Sequence, residues 1–98
     1  MVGMGGTAAE LAHDTALGLA PLTHERARSM IESLRHAPLL QGWRGGPALD
    51  LAAAAAVLVA VADAGAAHPE LAELEVNPVL VHAEGAVALD AAATFRVS

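Results

Sequence analysis

An α+β fold, an antiparallel sheet of about four strands with two helices on one face, is predicted by three features of the chain. Two helical patterns sit together in its middle, strand-like patterns are gathered at both ends, and glycine and proline punctuate the joints. The order β-β-α-α-β-β keeps helices and strands in separate runs, whereas a parallel sheet needs them to alternate.

Thr7 to Ala12 and Thr15 to Ala20 read as the first two strands, joined by His13-Asp14, with Thr15, Leu17 and Leu19 alternating against smaller residues. Gly3-Met4-Gly5-Gly6 completes a strand entry. It is no phosphate-binding P-loop, because the Gly-Lys-Ser/Thr ending is missing and no helix follows. The first helix is expected from Thr23 to Arg35: Thr23 is the N-cap, Glu25 faces the positive end of the helix dipole, and Ala27, Met30, Ile31 and Leu34 recur at helical spacing until Pro38 stops it. Gly42-Trp43-Arg44-Gly45-Gly46-Pro47 is a loop, with Trp43 as its packing anchor. Asp50 caps a second helix expected to reach Ala64 and close at Gly65. That helix is apolar nearly all round and so belongs between layers. Leu74 to Val81 and Ala86 to Ala91 form the last strands, around a turn at Ala83-Glu84-Gly85.

Composition narrows the function classes. The 98 residues, 55% hydrophobic and 16% charged, suit one folded domain over 1–98. Alanine supplies much of the apolar share and aromatics only 2%, so the core should be shallow and a partner surface should help it. A formal charge of −6, with five arginines and no lysine, argues against nucleic acid or an anionic membrane as partner. Leu51 to Ala62 is too short and too rich in alanine to span a bilayer, which takes about 20 strongly apolar residues. The absence of cysteine and of a basic-then-apolar leader in Met1 to Thr7 fits a cytoplasmic protein.

The chemistry is expected in the last hairpin, where Asn77 and Asp90 face each other across the turn. A two-residue loop places them directly opposite, a four-residue loop makes them diagonal neighbours on one face, and a three-residue loop puts them on opposite faces. Opposite Cβ atoms lie about 5 Å apart and diagonal ones about 7 to 8 Å, so in the first two registers two oxygen ligands converge on one hard cation. Pro78 lacks a backbone donor and belongs at an edge or bulge, where strands re-aim side chains near sites. Arg44, in its glycine loop, has the planar fork that suits a phosphate.

The run Glu75-Val76-Asn77-Pro78-Val79-Leu80-Val81, followed by Gly85 and Ala88-Leu89-Asp90-Ala91, resembles the end of the ATP-grasp domain of NDP-forming acyl-CoA synthetases. That group contains the ADP-forming acetate-CoA ligases and is related to the succinyl-CoA synthetase β subunit. Val2-Gly3-Met4-Gly5-Gly6-Thr7, Glu10, Asp14, Leu19-Ala20-Pro21-Leu22, Leu39-Leu40 and Gly42-Trp43-Arg44-Gly45 stand in the family's order. The resemblance implies that Asn77 and Asp90 hold Mg²⁺, that Glu10 faces the nucleotide side, and that ATP is the cofactor. It also implies a carboxylic acid and CoA as substrates, converted with ATP to acyl-CoA, ADP and phosphate.

Basic residues that the family usually carries are replaced by His13, Gly18 and Ala92. The chain is expected to be the C-terminal half of the domain, a fragment whose N-terminal half and CoA-binding domains are its partners, in the same or another chain. No residue here is assigned a catalytic role, and the chain alone is expected to be inactive. The five histidines show no ligand spacing and receive no role, the family's phosphohistidine belonging to a different domain. The alternative reading is a non-catalytic regulatory module of a protein acetyltransferase.

Overall fold

Helix α1 (His24–Glu32) begins at the cap that the sequence supplies: Thr23 is extended and its Oγ1 accepts the Arg26 N–H at 3.0 Å. The computed structural model describes residues 1–4, 14–42 and 48–96. Thr23→Ala should cost about 1 kcal/mol, read as a lower urea midpoint at unchanged slope; an unmoved midpoint would mean that water replaces the cap without loss.

Pro38 does not end α1. The helix stops at Glu32 with Ser33 as C-cap, and Pro38 lies in the first turn of a separate short helix, α2 (Ala37–Leu40), where its missing N–H costs nothing. Helix α3 (Leu51–Ala67) is capped by Asp50, whose Oδ1 accepts the Ala53 N–H at 2.9 Å. It runs past Gly65, contrary to the expected closure there. A glycine weakens a helix without ending it, and the stop comes at His68, which precedes Pro69 and is held out of helical conformation by the proline ring.

The strands are β1 (Val2–Gly3), β2 (Thr15–Ala16), β3 (Leu71–Val76), β4 (Val79–His82), β5 (Gly85–Ala88) and β6 (Ala91–Phe95). All pairing among the described residues is antiparallel, β1 with β2, β3 with β6, and β4 with β5. β2 is shorter than expected, since Gly18, Ala20 and Pro21 are poor strand formers. The strand expected over Thr7 to Ala12 lies outside the described residues.

Each strand expected in the last hairpin is two. Val76 pairs with Ala91 and Val79 with Ala88, the same register on both sides of an interruption at Asn77-Pro78 and Leu89-Asp90. Across it Asn77 N–H donates to the Asp90 carbonyl and Leu89 N–H to the Pro78 carbonyl, both at 3.0 Å. One long hairpin therefore runs from Leu71 to Phe95 with a break in its middle. Leu74 and Val76 are half-buried before the break, Val79 and Val81 after it. Asn77 and Pro78 are thus two successive outward residues, and the strand exchanges the face it turns to α3.

α3 lies between layers, as its all-round apolar character predicts: it meets α1 on one side and β3, β4 and β5 on the other. Ala27 and Ile31 of α1 pack on Leu51, Ala55 and Val59 of α3, with Val2, Leu22, Leu40 and Leu58 at the margin. The alanines let the helices approach closely and bury little area, which makes the core shallow. No described helix is long and apolar enough to cross a membrane.

Candidate functional site

The break in the hairpin is where the expected ligands meet. The loop between β4 and β5 contains only Ala83 and Glu84, with His82 paired to Gly85, whose φ of 136° favours a residue without a side chain. This is the two-residue register, so Asn77 stands directly opposite Asp90. Asp50 anchors the hairpin to α3, its N–H donating to the His82 carbonyl at 2.6 Å while its carboxylate caps the helix.

Glu75, Asn77, Asp90, Ala91 and Ala92 line one shallow cleft of about 110 Å³. Glu75 and Asn77 share a face because they are two apart on a strand, and Ala92 is the cross-strand partner of Glu75. The Asn77 side-chain amide donates through Nδ2 to Glu75 Oε1 at 3.2 Å, and Asp90 Oδ1 accepts the Ala91 N–H at 2.8 Å. Among the described residues neither Asn77 Oδ1 nor Asp90 Oδ2 takes a hydrogen bond. Glu75 was not singled out as a site residue from the sequence, although its period-two spacing from Asn77 carried that signal.

The polar groups of this cleft are oxygen donors of carboxylate and amide type, which suit a hard cation such as Mg²⁺ and offer nothing to a soft one. Among the described residues no group of three or more histidines, cysteines or acids is gathered to hold a metal. The Asn77 amide oxygen and the Asp90 carboxylate would fill only part of an octahedral shell. A larger open hollow of about 720 Å³ is lined by Leu17, Gly18, Leu19, Pro21, Leu22, Thr23 and Arg26. Its described lining is mostly apolar and includes no carboxylate, whereas the smaller cleft has two. Of the positions where the resemblance leads one to expect a basic residue, Gly18 falls in the hollow and Ala92 in the cleft; His13, like the expected nucleotide contacts Glu10 and Arg44, lies outside the described residues.

Asp14 has a structural role that spacing alone did not reveal. It is 5% exposed, and its carboxylate accepts the Arg35 N–H at 2.6 Å, the His36 N–H at 3.1 Å and the His36 ring at 2.8 Å. Burial raises its pKa, but the hydrogen bonds from the His36 ring and the two N–H groups, with the His36 charge, outweigh that and hold it below the ordinary 3.8. His36, given no role from the sequence, thus helps clamp the corner between α1 and α2 to the start of β2.

The ATP-grasp domain model matches residues 1–95. The chain belongs to the ATP-grasp family. It is 38% identical over 93 residues to a trans-feruloyl-CoA synthase from an unknown prokaryotic organism, covering 93% of this chain and 13% of that protein. It is 34% identical over 91 residues to the β subunit of ADP-forming acetate-CoA ligase I of Pyrococcus furiosus, covering 93% and 39%. Among solved structures, a dinucleotide-forming acetyl-coenzyme A synthetase 1 of Ca. Korarchaeum cryptofilum superposes with a TM-score of 0.88 at 34% identity, over 96% of this chain and 44% of that one. That structure holds coenzyme A and Mg-AMPPCP, with a phosphohistidine segment pointing towards its nucleotide site. This ATP-grasp chain therefore spans less than half the length of these relatives.

Proposed function

We propose that this ATP-grasp chain supplies the magnesium side of the nucleotide site in an ADP-forming acyl-CoA synthetase, with Asn77 and Asp90 as protein ligands of Mg²⁺. The observation that carries the reading is the oxygen-lined cleft at the hairpin break, where Asn77 stands directly opposite Asp90. Bound Mg²⁺ would neutralise charge on the phosphoryl group transferred from ATP. In this reading the chain holds the Asn77 and Asp90 oxygens opposite each other at the break between two paired segments of the hairpin, which is backed by α3. Glu10 and Arg44 are proposed for the nucleotide side, by family position and by the guanidinium's fit to phosphate. The N-terminal half of an ATP-grasp domain and CoA-binding domains, in the same or another chain, would supply the remaining contacts to ATP, CoA and the acid.

Mg²⁺ binding by the chain itself should be weak, because two protein ligands leave most of the octahedral shell to water and nucleotide phosphate. Titrating Mg²⁺ while following backbone amide shifts should move the residues around Asn77 and Asp90 first. Shifts confined to the exposed acids Glu70 and Glu73 would overturn the assignment.

A further inference from the structure

We propose that Glu75 is a positioning residue that sets which atom of Asn77 meets the cation. The inference rests on the reading of Asn77 and Asp90 as Mg²⁺ ligands and adds a residue and a mechanism to it.

An asparagine side chain presents an oxygen on one side and an NH₂ on the other, and only the oxygen ligates a cation. Rotating it half a turn would aim two N–H groups at the metal. Asn77 is exposed and lies outside the regular ladder, between β3 and β4, so packing does little to choose between the two orientations. The contact with Glu75 chooses. A carboxylate accepts and cannot donate, so the Asn77 atom 3.2 Å from Glu75 Oε1 has to be Nδ2. With Nδ2 occupied, Oδ1 is the atom left for the cleft.

Asp90 is oriented in a parallel way on the facing strand, where the Ala91 N–H takes Oδ1 and leaves Oδ2. Each ligand thus has one atom tied within the hairpin and one oxygen left over. Period-two geometry brings Glu75 beside Asn77, and the register puts small Ala92 opposite Glu75, so its cross-strand partner does not compete for the carboxylate. Outer-shell partners that orient a ligand commonly affect metal affinity by about tenfold or more. Glu75 also adds negative charge near the cleft, and a test has to separate charge from orientation.

The test uses Mn²⁺ as a paramagnetic probe on the whole chain, following broadening of amide signals around Asn77 and Asp90 and the Asn77 side-chain NH₂ resonances without metal. Glu75→Ala should weaken Mn²⁺ broadening about tenfold, and the two Asn77 NH₂ protons should lose the spread that one hydrogen-bonded proton gives them. Glu75→Gln, which keeps an acceptor but removes the charge, should preserve the NH₂ spread and recover most of the Mn²⁺ response. If Gln and Ala weaken binding equally, Glu75 acts through charge alone and the positioning role is wrong. The role is equally wrong if Ala leaves both readouts unchanged while Asn77→Ala and Asp90→Ala abolish the response. If those two variants keep the full Mn²⁺ response, the metal-ligand reading itself fails, and the metal-free NH₂ spectrum still reports separately on the Glu75 contact.

Discussion

Asp90→Ala should lower acyl-CoA formation by about 10²- to 10³-fold in a ligase assembled from this chain and a polypeptide matching the rest of its relatives' length. Phosphoryl transfer depends on positive charge arranged around the transferring group, and in the proposed reading the chain's part is to hold the ion by a small number of oxygens. Alanine would remove one of the two proposed ligands and leave a ladder that should still form, because Asn77 bonds to the Asp90 backbone carbonyl rather than to its side chain. Raising Mg²⁺ should restore part of the rate if the lost ligand mainly lowered affinity. A variant within about twofold of wild type would remove Asp90 from the metal site even with the family membership intact. Without the added polypeptide the chain should turn over no ATP. Its only charged groups of positive sign besides histidine and the terminus are five arginines, with Arg44 alone in the glycine-rich loop. Turnover of ATP, acetate and CoA by this chain alone would overturn the need for a second half.

Asp14→Ala should be the most damaging change outside the cleft, lowering the thermal midpoint at pH 7 by roughly 10 °C. It would strand the Arg35 and His36 N–H groups, which the carboxylate now satisfies, and free the corner that follows α1. The same contact predicts an acid dependence. Because the folded carboxyl titrates below 3.8, the unfolded chain takes up this proton first as pH falls. The stabilisation is therefore complete above the unfolded value and is lost as pH drops through the lower folded one. Thermal melts across that acid range should show a steeper decline for wild type than for Asp14→Asn. Equal slopes would mean that Asp14 contributes nothing to acid lability.

The parts of the fold that were legible in the sequence are those set by neighbouring residues. Thr23 and Asp50 cap their helices through hydrogen bonds to residues three positions on, a contact that spacing alone predicts. The apolar circumference of α3 predicted its place between layers, and the turn residues before Gly85 located the last hairpin. Two local readings gave way to stronger local effects. Pro38 fits the start of α2 as well as the end of α1, and Gly65 is outweighed by the alanines around it until Pro69 intervenes. The split of the hairpin at Asn77-Pro78 was foreshadowed by the proline's missing donor, but not its consequence for burial.

Sequence by itself determined the ingredients of the candidate site: an Asn-Pro strand, a Leu-Asp strand, a turn between them, and oxygen ligands in place of thiolates. It left the register open among three loop lengths, because each changes pairing by one residue and nothing local selects among them. Tertiary structure decided that question, since the hairpin lies against α3 through β3, β4 and β5 and is tied to it by the Asp50 N–H, which donates to the His82 carbonyl. It alone also joined Asp14 to His36 across 22 positions of sequence, a contact with no periodicity to announce it. Residues a few positions apart meet by helix or strand geometry, whereas residues far apart meet only when the packed layers bring them together.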